Sequence, residues 1–241
     1  MSVIGTTPRG ATSEQDASRW VRGMFGRIAH RYDVLNHLLS FNLDRRWRAR
    51  LVDRIADVLD RPNARALDLC CGTADVMVSL QRRRGRAAIF GSDFCHPMLL
   101  AARRKTQSPL FEADALALPL ADESLDLITI AFGFRNLSNY RRGLEESLRT
   151  LKPGGVAAIL EFSQPKNRAF GAMYGLFSTR VLPWIGGMVS GSREAYSYLP
   201  ESIRKFPGAE ELATQMRSAG FARVEFERMA GGAVALHRGW K

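Results

Sequence analysis

Apolar positions recur along this chain in two rhythms. Short apolar runs fall at residues 65–70, 87–92, 109–113, 125–131 and 156–162. Between them lie segments whose apolar residues come every three or four positions, at 75–83, 96–105 and 139–151. Runs of the first kind suit buried strands and segments of the second kind suit amphipathic helices. Their alternation predicts an α/β fold, a mostly parallel sheet with helices on both faces. Two helical segments precede the first strand. One spans 18–36, with Trp20, Val21, Met24, Phe25 and Ile28 in register, and the other spans 45–59, with Trp47, Leu51, Ile55 and Leu59 on one face and Asp44 as its N-cap. Lys152-Pro153-Gly154-Gly155 reads as a turn. After Glu161 the rhythm stops. Residues 166–200 are rich in aromatic, apolar and glycine positions but too broken for a membrane span. Pro207 opens a last helix that Gly220 ends. Residues 223–229 and 233–238 close the chain as a hairpin around Gly231-Gly232. The expected organisation is a flexible tail at 1–18 and a single domain at 19–241. Within that domain 19–62 form a helical lid and 166–206 an apolar insertion.

Composition narrows the class. A chain of 241 residues, 46% of them hydrophobic, can bury one core. The formal charge is +11, and only five of the 35 basic residues are Lys. Such a surface attracts polyanions, either nucleic acid or an anionic membrane leaflet, unless the arginines merely solvate the outer faces. Three cysteines, two of them adjacent, argue against a disulfide framework and for a reducing, cytoplasmic setting. No metal-ligand spacing links them to the four histidines. The first eighteen residues lack the apolar centre of a signal peptide.

The chemistry-bearing residues gather at the carboxyl ends of the expected strands, where open α/β sheets bind ligands. Cys70, Cys71 and Gly72 follow the first strand, and Thr73-Ala74-Asp75 open a helix. Asp93 ends the second strand, about twenty residues beyond that turn, where a carboxylate can accept both ribose hydroxyls. Gly72 is the only glycine in the loop, so no pyrophosphate cradle is present. A ribose-binding acid without a phosphate loop points to S-adenosylmethionine. The alternative is an ordinary Asp after a second strand. Asp114 and Ala115 stand at the end of the third strand, and Ala131-Phe132-Gly133-Phe134-Arg135-Asn136 at the end of the fourth. That last position carries no Asn/Asp-Pro-Pro-aromatic run for holding a nucleobase amine, and the chain has no Pro-Cys pair for attack on a cytosine ring. Both absences count against nucleic acid as the acceptor and leave a small or amphiphilic molecule. Arg135 can stabilise a developing phenolate or enolate, Asn136 can fix a second oxygen, and Tyr32 can close from the lid. For Arg135 the alternative is a salt bridge to Asp114 or Glu161.

These residues sit in longer segments that resemble the ubiquinone/menaquinone biosynthesis C-methyltransferases. The resemblance runs from about Val21 to Lys241. It rests on Tyr32-Asp33-Val34-Leu35-Asn36 with Ser40 and Trp47, on Phe132-Gly133-Phe134-Arg135-Asn136, and on Leu151-Lys152-Pro153-Gly154-Gly155 with Leu160-Glu161-Phe162-Ser163-Gln164-Pro165. The stretches from Arg193 to Arg204 and from Gly232 to Trp240 also match. Leu35, Asp44, Ala74 and Ala131 stand where the family often has Met, His, Gly and Ser. The resemblance implies a class I S-adenosylmethionine-dependent methyltransferase (Rossmann-like) fold, seven strands with a C-terminal antiparallel hairpin. It implies cofactor contacts from Thr73, Asp93, Asp114 and Ala115, with only a backbone contact left for Ala131. It also implies C-methylation of a prenylated quinol, either demethylmenaquinol or the methoxy-benzoquinol precursor of ubiquinone. Position 35 and the Arg-Arg-Trp after Asp44 lean towards the menaquinone branch. Another lipid or small phenol is the alternative acceptor. The insertion then covers the isoprenoid tail, and the basic surface provides peripheral contact with a membrane. A homo-oligomer or a biosynthetic complex is compatible with the sequence, which does not specify either.

Overall fold

The computed structural model describes residues 5–8, 10–33, 40, 42–83, 85–165 and 193–241. A seven-stranded sheet in the order β3-β2-β1-β4-β5-β7-β6 forms its centre. The strands are β1 (Arg65–Leu69), β2 (Ala88–Asp93), β3 (Leu110–Glu112), β4 (Leu125–Ala131), β5 (Leu151–Phe162), β6 (Arg223–Met229) and β7 (Val234–Trp240). The first five run parallel, while β7 pairs antiparallel with both β5 and β6. Strand order reverses between β1 and its neighbours β2 and β4. A crevice therefore opens beyond the carboxyl ends of β1 and β4, the usual ligand position in such sheets.

Helices cover both faces because β5 alternates. Val156, Ala158 and Leu160 pack with Leu51, Ile55, Val76 and Leu80, on the side of α2 (Leu43–Arg54) and α4 (Asp75–Arg82). Ala157 and Ile159 face the other way, onto Leu144 of α6 (Tyr140–Thr150) and Leu212 and Met216 of α8 (Ala209–Ser218). The remaining helices are α1 (Glu14–Ile28), α3 (Ala56–Leu59), α5 (His96–Ala102) and α7 (Arg193–Lys205).

Several expected boundaries move for local reasons. The first helix begins at Glu14, because the Ser13 side chain caps it by accepting from the Asp16 N–H at 3.1 Å. It then tightens into a 3-10 turn at Ala29–Arg31. The helix expected at 45–59 is two helices, broken at Ile55, and Asp44 lies inside its first turn with Asn42 as the cap. Asp44 bonds Ser40 and Arg48 instead. The turn expected at 152–155 is absorbed into β5, whose first residue pairs with Leu125 across a register shift. The N-terminal tail is not loose over its described part. Thr6 is 5% exposed and its N–H donates to the Leu137 carbonyl at 2.8 Å. Val34-Leu35-Asn36 and the apolar stretch 170–188 lie outside the described residues.

Candidate active site

The loop after β1 is wound tightly. Cys70, Gly72 and Ala74 all have positive φ, at 56°, 53° and 70°. Only glycine adopts this left-handed region without steric cost, so two of the three positions carry strain. The winding turns the Gly72 N–H towards Asp93, whose Oδ2 accepts it at 2.9 Å, while Oδ1 accepts the Cys95 N–H at 2.9 Å. Burial pushes the Asp93 carboxyl up to about 6, against these backbone donors. Each carboxylate oxygen retains capacity to accept another hydrogen bond. Asp114 braces its own loop by accepting the Leu116 N–H at 2.9 Å.

These loops surround a cavity. Gly72, Asp93, Asp114, Ala115, Ala131, Asn136 and Tyr32 all line it, so seven of the nine residues singled out in the sequence share one space. Tyr32 reaches it from the turn after α1, its ring edge-on to Phe25 at 5.9 Å. Phe25, Phe94 and Met98 add apolar walls that sequence reasoning did not assign. Phe94 was findable, since it directly follows the acid at the end of β2. Cys70 also lines the cavity, but burial raises its pKa well above the ordinary thiol range, which disfavours the thiolate that covalent attack needs.

Two residues lie elsewhere. Thr73 is buried behind the loop, where its hydroxyl donates to Asp33 and accepts from Lys105 Nζ at 3.1 Å. Lys105 also pairs with Asp33 and Asp75, so Thr73 belongs to an ion-pair cluster tying the α1 end to the loop after β1. Arg135 sits behind the cavity wall rather than on it. Its Nη1 donates to Glu161 Oε1 at 2.8 Å and to the Phe132 carbonyl at 2.7 Å, and its backbone N–H donates to Glu161 Oε2 at 3.2 Å. Both side chains are buried, at 7% and 1% exposure. Burial opposes the guanidinium charge, but Glu161, with Tyr32 and Tyr198, more than offsets it and the Arg135 pKa is raised. The salt-bridge alternative therefore describes this residue, with Glu161 rather than Asp114 as the partner. Paired charges at this depth are held by mutual need, because removing one strands the other.

The result is a braced turn at the end of β4. Phe132 has φ 58°, and its carbonyl collects Arg135 Nη1 and, at 3.4 Å, Asn136 Nδ2. Asn136 Oδ1 accepts from the Tyr198 hydroxyl at 3.0 Å. Sequence reading missed Tyr198 as a site residue, because its contact with Asn136 spans 62 positions. Among the described residues no group of three metal-binding side chains is present.

The family model described as ubiE/COQ5 methyltransferase family matches residues 11–241. The chain is 47% identical to a demethylmenaquinone methyltransferase of Thermus thermophilus, over 90% of this chain and 99% of that one. It is 38% identical to a ubiquinone/menaquinone biosynthesis C-methyltransferase UbiE of Dinoroseobacter shibae, over 95% and 93%. Among solved structures, a SAM-dependent methyltransferase of Thermotoga maritima overlays with a TM-score of 0.66 at 22% identity, covering 91% of this chain and 99% of that one, a likeness of fold. The match across nearly the whole length, together with the loops gathered at the ends of β1 and β4, places this chain in the ubiE/COQ5 methyltransferase family.

Proposed function

We propose that this protein is an S-adenosylmethionine-dependent C-methyltransferase that acts on a prenylated quinol, with demethylmenaquinol as the first acceptor. The observation that carries the reading is the shared cavity. An acid suited to a ribose (Asp93) and an amide suited to an acceptor oxygen (Asn136) line one space at the point where strand order reverses. The residues fit the cofactor. Asp93 offers carboxylate lone pairs, Asp114 and Ala115 form the next loop, and Phe94, Met98 and Leu116 supply apolar walls for a purine. When bound there, the cofactor supplies an electrophilic sulfonium methyl.

The chain's own groups position and polarise. Asn136 holds an acceptor oxygen on which negative charge gathers as the quinol gives up its proton to solvent water. That charge makes the adjacent ring carbon nucleophilic. A preorganised donor aimed at such an oxygen is worth more inside a water-poor cavity than in solution. Tyr32 covers the cavity from the lid side. Arg135 acts through the turn that presents Asn136, and its charge lies one layer back, offset by Glu161. Thr73 supports the cofactor loop from behind. The +11 charge favours docking on an anionic bilayer, from which a lipid-soluble quinol must be drawn. Among the described residues no helix is long and apolar enough to cross a membrane.

The test offers methyl-labelled S-adenosylmethionine with reduced demethylmenaquinone and, in parallel, with the reduced demethylated ubiquinone precursor. Faster labelling of the menaquinol precursor is expected. Transfer only to the benzoquinol would assign the other branch. Transfer to neither, with cofactor binding intact, would rule out quinols.

A further inference from the structure

The segment before α1 is built into the acceptor side of the cavity. Gly5 passes so close to the loop after β4 that a Cβ there would meet the Ser138 carbonyl oxygen at 2.1 Å and the Asn139 nitrogen at 2.6 Å. Those are backbone atoms, and they cannot step aside. The Thr6 N–H bonds the Leu137 carbonyl, and Lys205 Nζ of α7 reaches the Thr7 carbonyl at 3.1 Å. The segment is thus pinned to both elements that bear Asn136 and Tyr198.

The Thr6 hydroxyl lies 2.8 Å from the Tyr198 hydroxyl, and both residues are buried, at 5% and 6% exposure. A phenol has one proton. That of Tyr198 is committed to Asn136 Oδ1, so the Thr6 hydroxyl must be the donor between the two. The order is Thr6 O–H to Tyr198 O–H to Asn136 Oδ1, with Asn136 Nδ2 facing the Phe132 carbonyl at 3.4 Å. The Phe132 carbonyl can only accept, so it takes Nδ2 and fixes which way round the amide sits. The amide oxygen is occupied, and one of the two amide N–H groups is left over for the cavity that Asn136 lines. Hydrogen bonds in series polarise one another, which strengthens that N–H as a donor.

Resting on the quinol methyltransferase reading, we infer that Thr6 and Tyr198 are positioning residues for methyl transfer. Through this relay they hold Asn136 as a hydrogen-bond donor to the acceptor's anionic oxygen. The relay acts on the acceptor side alone, so it governs turnover and leaves cofactor affinity untouched.

The experiment compares Thr6→Val, Thr6→Ser and Tyr198→Phe with wild type. It reads kcat with demethylmenaquinol, the Kd of S-adenosylmethionine, the urea midpoint, and the side-chain amide ¹H–¹⁵N signals of Asn136. Thr6→Val keeps the shape and removes the donor, and a fall in kcat of about fivefold is expected from the loss of one such bond. The cofactor Kd stays the same, the Asn136 amide signals shift, and Thr6→Ser restores both turnover and signals. Tyr198→Phe gives a larger fall and serves if Thr6→Val proves unstable. Wild-type kcat and unshifted amide signals in Thr6→Val would overturn the relay, as would a Thr6→Ser variant as impaired as Thr6→Val. If wild type methylates no quinol, the functional reading fails by itself. The amide signals then still decide whether the relay exists.

Discussion

Asp93 shows how a single residue joins geometry to a measurable pH response. It is buried, its carboxyl is pushed up to about 6, and two backbone N–H groups already orient it. A ribose diol donates hydrogen bonds, so it prefers the ionised form. Protonating Asp93 therefore opposes cofactor binding. Below pH 6 the affinity for S-adenosylmethionine should fall about tenfold per pH unit, the behaviour of one coupled proton. Isothermal titration calorimetry between pH 5 and 8 checks this, and a flat Kd would show that Asp93 does not meet the ribose. The sign for stability is the opposite of the usual carboxylate case. The folded state holds this proton more tightly than the unfolded chain, whose value is near 3.8. The group therefore costs stability as pH rises from about 4 through 6. The place of Asp93 at the cavity was legible in the sequence because it depends on local spacing after a strand. For Arg135 the sequence left two readings open, the cavity or a pair with Asp114 or Glu161, because a charge beside a cavity and a charge behind its wall share one sequence pattern. Only the return of β5 brings Glu161 alongside.

At the level of elements, the site exists because the loops after β1 and β4 nearly touch. Gly133 has an ordinary φ of −109°, so its requirement is space rather than conformation. A Cβ there would lie 2.5 Å from Cys70 Cβ. Gly133→Ala must push the two loops apart, at a cost of about 1–3 kcal/mol typical of overpacking. Cys70 and Asn136 both line the cavity, so methyl transfer should fall much more than stability does. Turnover at saturating cofactor beside a urea melt separates the two, and an unchanged kcat would mean that the loops do not set the reaction geometry. The strand and helix alternation was readable from apolar periodicity, because each element buries one face or two against the sheet. The elements that moved did so for reasons outside that signal. Ile55 breaks a continuous periodic segment by adopting φ −116° and ψ 12°. Leu151 joins β5 because Leu125 lies opposite it. The polar run around Thr6 resembles a loose tail in sequence, yet its polar groups find partners on Leu137 and Tyr198, far along the chain.

For the molecule as a whole, α1 with the turn after it and the loops at the ends of β1 to β4 converge on one cavity from distant parts of the chain, while Tyr198 of α7 bonds Asn136 from outside its lining. Tyr32, Asp93, Asn136 and Tyr198 lie on four different elements, and three of the four line the cavity directly. Under the proposed function such a molecule holds two ligands in register and does little covalent chemistry of its own. If it methylates a quinol carbon, only the reduced acceptor can react, because the oxidised ring carries no negative charge beside its oxygens. The most direct measurement incubates the enzyme with trideuteromethyl-labelled S-adenosylmethionine and demethylmenaquinone, once reduced and once oxidised, and locates the label by mass spectrometry and NMR. The label is expected on a ring carbon of the reduced acceptor and nowhere on the oxidised one. Label on an oxygen, or equal transfer to both forms, would contradict C-methylation of a quinol at this site.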